Sequence, residues 1–225
     1  MARILDGKAL ATRIQQEVAQ GVKALKDRSR ISPKLVVVRV GDDPASQVYV
    51  RNKGRACTAV GITAEERHLA ANSTESELLA LIDQLNADAT VHGILVQLPL
   101  PRGLMDQAVI ERLDPRKDVD GFHPENVGRL WSGRPRLIPC TPLGIQRLFL
   151  EESITTQGRR AVILGRSNIV GKPMAALLMA KGPGGDATVT VCHTATPNPA
   201  AITREADLLI VAMGQPDAEP LPVTR

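Results

Sequence analysis

Apolar residues recur along this chain with two different periods. Leu10, Ile14, Val18, Val22 and Leu25 follow the helical period and predict an amphipathic helix over residues 6–27. Pro33 then opens the run Lys34-Leu-Val-Val-Val-Arg-Val40, which is apolar almost without interruption and ends at Gly41. A strand buried on both faces reads this way, and such strands belong to parallel sheets. Turn chemistry at Gly41-Asp-Asp-Pro44 leads into a helix expected from Ser46 to Val60, closed by Gly61, and Ile62 to Leu69 fits a short strand. Thr74 and Glu77 have capping-box spacing ahead of a helix that carries Leu78, Leu81, Ile82 and Leu85. Val91 to Leu98 is a further buried-strand candidate, stopped by Pro99 and Pro101.

The character changes at residue 114. From there to 142 lie five prolines, three glycines, Phe122 and Trp131, the composition of a connector between domains. A helix from Pro142 to Glu152 opens the second half. Arg160 to Leu164 follows as a strand, Gly171 to Lys181 as a helix, and Ala187 to Cys192 and Asp207 to Ala212 as two more strands. Strand and helix alternate throughout, so the expected fold class is α/β with two αβα domains. The expected division is 1–120, a connector at 121–142, and 143–225 with a Rossmann-type parallel sheet. That βαβαβ series is half of a doubly wound nucleotide-binding sheet, whose common form has about six strands. Residues 214–222 show neither period and contain three prolines, so the sheet is expected to be incomplete, from a small domain or a shortened chain.

Composition narrows the function classes. Apolar residues are 43% and charged residues 23% of the 225, ordinary globular values that argue against disorder. No apolar run approaches the roughly 18 residues of a membrane span, and the opening MARILDGKAL lacks the form of a signal peptide, so a cytoplasmic protein is expected. Cys57, Cys140 and Cys192 stand apart without a CxxC pair; no metal site is expected, and each is read as a small packed hydrophobe. A pI of about 9.2 invites a nucleic-acid reading. The basic residues are scattered, however, and Tyr49, Phe122, Trp131 and Phe149 are too few for a base-stacking platform. Small anionic ligands suit this balance better than nucleic acid or membrane.

Four local patterns carry candidate chemistry. In Gly165-Arg-Ser-Asn-Ile-Val-Gly171, between a strand and a helix, free amides and the helix dipole attract phosphate. Gly165 permits the tight turn and Gly171 lets helix and strand approach, although a plain β–α turn reads the same. An acid that would bind the ribose of NAD is expected after the second strand, yet Cys192-His-Thr-Ala-Thr196 has none. Arg166 is available for a 2′-phosphate, with Thr194 and Thr196 as donors, so NADP is the expected dinucleotide. Tyr49 and Lys53 are spaced to share a helix face. An amine partly desolvated beside a ring moves toward general-base range, although a surface lysine beside a packed ring gives the same spacing. The pair also imitates the YxxxK of short-chain dehydrogenases, but there it follows the glycine-rich turn and here it precedes it. Gln97 offers an amide at the carboxyl end of a strand, where open α/β sheets bind ligands. Asp118 and Asp120 share a face if their segment is extended. His123 and His193 are isolated.

Taken together, Tyr49-x-x-x-Lys53, Gln97-Leu-Pro-Leu-Pro101, Lys117-Asp-Val-Asp-Gly-Phe-His123, Pro139-Cys-Thr-Pro142 and Gly165-Arg-Ser-x-Ile-Val-Gly-Lys-Pro173 resemble one family. It is the bifunctional methylenetetrahydrofolate dehydrogenase/methenyltetrahydrofolate cyclohydrolase family (FolD type), and the motifs come in its order. The resemblance implies a folate-binding catalytic domain followed by an NADP domain. Lys53 becomes the central catalytic group, Tyr49 its positioning ring against the pterin, Gln97 its hydrogen-bond partner, and Asp120 the ligand of the pterin's polar edge. Gly165, Arg166, Ser167 and Thr194 would hold NADP. The implied activity is NADP-dependent oxidation of methylenetetrahydrofolate and hydrolysis of the methenyl product, in a homodimer. The family continues past the third strand of its second domain, which leaves two other readings. One is an impaired folate- or dinucleotide-binding fragment, and the other is an unrelated NADP dehydrogenase.

Overall fold

The computed structural model describes residues 4–213. The chain divides into two compact units, one of Asp6–Val119 and one that takes Asp120 onward together with the residues before Asp6.

The first unit runs α1 (Gly7–Ser29), β1 (Lys34–Val40), α2 (Pro44–Ala59), β2 (Thr63–Leu69), α3 (Glu75–Ala87), β3 (Gly93–Val96) and α4 (Asp106–Arg112). Its sheet is parallel throughout, in the order β2-β1-β3. β1 is central, as its two-sided apolar run requires. Val36, Val38 and Val40 pack with Leu78, Ile82 and Leu85 of α3, while Val37 on the other face packs with Val50 of α2 and Leu95. The Thr74–Glu77 capping box closes as expected, with the Thr74 amide donating to Glu77 Oε2 at 2.7 Å. β3 is shorter than expected. Gln97 N–H still donates to the Val38 carbonyl at 2.9 Å, but Pro99 and Pro101 have no amide to extend the ladder. On α1 the apolar stripe is only partly used, since Leu10 and Val22 are buried and Val18 is 38% exposed.

A segment beyond α4 returns beside β3. Ile94 N–H donates to the Lys117 carbonyl at 2.7 Å, and Asp118 bridges Ile94 in parallel. The Lys117 ammonium donates to the carbonyls of Leu85, Asn86 and Asp88 at 2.7–3.0 Å, satisfying the open end of α3. Upstream, the hydrogen bonds from Arg116 hold the Asp114 carboxyl down to about 2. The folded chain therefore favours the carboxylate. This pair contributes stability above about pH 4 that is lost as pH falls through about 2. Asp114→Asn is expected to flatten the acid limb of stability over that window, as acid titration of unfolding would show.

The second unit runs α5 (Pro124–Trp131), α6 (Cys140–Glu151), β4 (Arg160–Leu164), α7 (Gly171–Met179), β5 (Thr188–Cys192), α8 (Pro199–Arg204) and β6 (Leu208–Val211). Ala161 and Ile163 of β4 pack with Met174, Ala175 and Leu178 of α7; Val162 and Leu164 face Ile202 of α8. Residues 121–142, expected as a connector, contain α5, whose Leu130 packs on Ala176 and Leu177 of α7. Residues 214–225, with the prolines that suggested an incomplete sheet, lie outside the described residues.

The strand order here is β5-β4-β6, again parallel. In half of a six-stranded doubly wound sheet the third strand would lie beyond the second. Here it lies on the other side of the first, because α7 and α8 cross opposite faces of the sheet and right-handed crossovers then lead in opposite directions. The first unit repeats the arrangement, with α2 and α3 on opposite faces of β1. Each sheet thus has a topological switch point at the carboxyl end of its first strand, where open α/β sheets bind ligands. Among the described residues, no helix is long and apolar enough to cross a membrane.

Candidate active site

At the switch point of the first sheet, α2 starts with Pro44 at its first turn and an Asp43 side chain that accepts from Ser46 N–H at 2.7 Å. Ten residues beyond that cap, Lys53 Nζ donates to Gln97 Oε1 at 3.2 Å. Gln97 Nε2 donates to the Leu98 carbonyl at 2.8 Å, which turns the amide so that its oxygen faces the lysine. Lys53 is half-buried and has an uncharged acceptor beside it. Tyr49, one turn earlier, is 63% exposed, so its ring fills no core and is open to stack on a flat ligand.

The two aspartates of the Lys117–His123 motif separate. Asp118 is buried against β3, whereas Asp120 is half-buried at the start of the second unit. Both candidate histidines act locally. His123 Nδ1 accepts from Glu125 N–H at the start of α5, and His193 Nδ1 accepts from Ala195 N–H. The cysteines divide. Burial pushes the Cys57 and Cys192 thiols up, but Cys140 is exposed at the start of α6, not packed as a small hydrophobe, because it lies two residues from buried Pro142 and so on the opposite side of the helix. Among the described residues no group of three or more His, Cys, Asp or Glu is placed to hold a metal.

At the switch point of the second sheet, Gly165 follows β4 at φ 116°. A Cβ built there would overlap the carbonyl oxygen of Ala212 after β6, and one built on Gly171 would overlap the carbonyl of Gly165. Neither close approach tolerates a side chain, so both glycines are required by the turn. Ser167 Oγ accepts from the amides of Val170 and Gly171 at 3.1 and 3.4 Å, which leaves its own hydroxyl hydrogen to donate outward. Arg166 is exposed at the turn, and Lys172 is tied to Asn168 Oδ1 at 2.7 Å. Beyond β5, Thr196 Oγ1 accepts from His193 N–H at 2.9 Å and closes a turn with Thr194 exposed on it. A dinucleotide phosphate fits this cradle, where backbone can approach and a guanidinium stands by. The turn directly after β5, through Thr196, carries no acid to receive a ribose hydroxyl pair.

Two residues that sequence reasoning passed over emerge here. Lys117 anchors the segment that leads to Asp120, and nothing in its local pattern signals the three carbonyls it meets. Arg39 interrupts the valines of β1, which was a visible signal.

Comparison with known proteins shows the family. The family described as tetrahydrofolate dehydrogenase/cyclohydrolase, catalytic domain, matches residues 5–120, and its NAD(P)-binding domain matches residues 139–218. The bifunctional protein FolD of Streptococcus equi subsp. zooepidemicus is 55% identical over 215 residues, which is 96% of this chain and 74% of that protein. The crystal structure of the bifunctional FolD enzyme of Campylobacter jejuni matches with a TM-score of 0.90 at 49% identity, covering 94% of this chain and 74% of that one. That of Trypanosoma brucei, complexed with NADP cofactor and inhibitor, matches at 0.89 and 37% identity, covering 96% and 73%. With both domains matched in order and identity this high across the chain, the protein belongs to the tetrahydrofolate dehydrogenase/cyclohydrolase family.

Proposed function

We propose that this chain oxidises 5,10-methylenetetrahydrofolate with NADP and hydrolyses the resulting 5,10-methenyltetrahydrofolate to 10-formyltetrahydrofolate. The observation that carries the proposal is the Lys53–Gln97 hydrogen bond beside an exposed Tyr49, at the switch point of a sheet in a member of this family. In this reading residues 1–120 form the folate-binding catalytic domain, 121–142 a connector and 143–225 the NADP-binding domain.

Tyr49 stacks on the pterin and Asp120 binds its polar edge. NADP held by the second unit would supply the acceptor for the hydride that leaves the methylene carbon. Gly165 and Gly171 would admit its phosphates to the backbone, while Ser167 and Thr194 would donate to it and Arg166 would meet the 2′-phosphate. Loss of hydride leaves a methenyl cation, and water adds to that carbon. Lys53 takes the proton from the water, held by Gln97 at the right reach. The hydroxyl on that carbon then gives up its proton to become the carbonyl. The bond from carbon to the N5 nitrogen breaks as N5 takes up a proton, leaving the formyl group on N10 and one proton released overall.

Methenyltetrahydrofolate supplied to the purified chain tests the hydrolytic half. Decay of its absorbance faster than in buffer supports the proposal, and decay at the solvent rate contradicts it. Arg166→Ala is expected to narrow the preference for NADP over NAD roughly tenfold, by removing a charge-assisted contact. Titration of both dinucleotides measures this, and equal binding by the unaltered chain removes the argument. A cytoplasmic homodimer belongs to the same reading, supported by family membership; sedimentation tests the dimer.

A further inference from the structure

Arg39 lies on the face of β1 that α2 covers, and its side chain is 10% exposed. Nε donates to Glu66 Oε1 of β2 at 2.8 Å. Nη1 donates to the Gly41 carbonyl and lies 3.4 Å from Asp42 Oδ1. His68, the partner of Arg39 in the β1–β2 register, brings Nε2 to 3.1 Å from the same carbonyl and 3.3 Å from the same carboxylate. Two neighbouring strands therefore grip Gly41 and Asp42. The grip passes directly to α2. Gln47 Nε2 donates to the Asp42 carbonyl at 3.3 Å, Gln47 N–H donates to the Asp43 carbonyl at 3.1 Å, and Asp43 caps Ser46. Tyr49 and Lys53 follow on the same helix.

We propose that Arg39 is a positioning residue for Lys53. By holding Gly41 and Asp42 it sets where α2 begins and how far Lys53 reaches toward Gln97. The proposal rests on the reading of Lys53 as the catalytic group. An apolar residue at this buried strand position would serve the fold as well as a guanidinium drawn out of water toward exposed carboxylates, so stability alone does not account for the arginine. The contact it controls has little slack. At 3.2 Å, Lys53 Nζ to Gln97 Oε1 is at the long end of a hydrogen bond, and a small shift of α2 opens it.

The test pairs Arg39→Leu with Glu66→Gln, which removes the buried cation together with the carboxylate it meets at 2.8 Å, and compares it with Arg39→Lys and Ile82→Val. Amide exchange over residues 46–50 is expected to accelerate in the double variant. Its kcat for methenyl hydrolysis should fall about tenfold or more, as misplacement of a catalytic group does, while NADP affinity holds. Lysine is a point donor that cannot span Glu66 and Gly41, so Arg39→Lys should keep the fold but not the rate. Ile82→Val trims the core on the opposite face and should lower stability with kcat unchanged. Unchanged kcat in Arg39→Lys overturns the proposal even if the double variant fails to fold. If the unaltered chain hydrolyses no methenyl substrate, the enzymatic reading fails on its own; unchanged exchange over 46–50 would still overturn the grip.

Discussion

Lys53→Ala is expected to abolish methenyl hydrolysis while leaving the protein folded. A positioned acid–base group contributes about 10²–10⁴ in rate, and no second amine hydrogen-bonds Gln97 Oε1 among the described contacts. The same substitution should cost little stability, within roughly 1 kcal/mol, because the lysine is half-buried and forms one side-chain hydrogen bond to a neutral acceptor. Two measurements separate the effects. Hydrolysis should fall to near the solvent rate, and the thermal midpoint should move by no more than a few degrees. Near-normal hydrolysis by this variant would falsify the role assigned to Lys53.

The second large effect is structural and falls on the other unit. Gly165→Ala places a methyl group against the Ala212 carbonyl at a backbone angle that disfavours any Cβ. Because the obstacle is backbone of the adjacent strand end, β4 and β6 must separate or the turn must refold. A loss of roughly 3 kcal/mol is expected, from combined steric and backbone strain, together with at least a tenfold loss of NADP affinity. Gly158 makes the control. It also has positive φ, at 70°, but open space around it, so Gly158→Ala should cost only about 1 kcal/mol. Chemical denaturation and NADP titration of the two variants give the comparison. Equal losses in both would show that the close approach at Gly165 is not what fixes the turn.

Those two positions mark how far a sequence can be read. β1 and β4 match their expected spans because a two-sided apolar run is buried on both faces wherever it sits, whatever its partners. The strand–turn–helix around Gly165 is legible for the same reason, being local. The helices α4, α5 and α8 are short, two open on proline, and none shows several turns of helical periodicity. Strand order is a different kind of fact. Nothing near Leu208 says whether β6 joins β5 or β4; that depends on which face α8 crosses. Lys53 shows the same division within one site. Its spacing from Tyr49 is visible in the chain, but Gln97 is 44 residues away and meets it only once β3 lies beside β1. Lys117 acts through carbonyls at the end of α3 and Arg39 through Glu66 on the neighbouring strand. These partners lie far off in the chain, and no local side-chain pattern records them.

The central claim is that one chain carries a dinucleotide-dependent oxidation and a lysine-dependent hydrolysis. It is tested most directly by one progress curve, with methylenetetrahydrofolate and NADP supplied to the unaltered chain and to Lys53→Ala, reading methenyl absorbance and NADPH together. The account predicts NADPH formation by the unaltered chain with little methenyl build-up, and methenyl that persists wherever Lys53→Ala still produces NADPH. No NADPH from the unaltered chain, or methenyl consumed as fast by Lys53→Ala as by the parent, would contradict it.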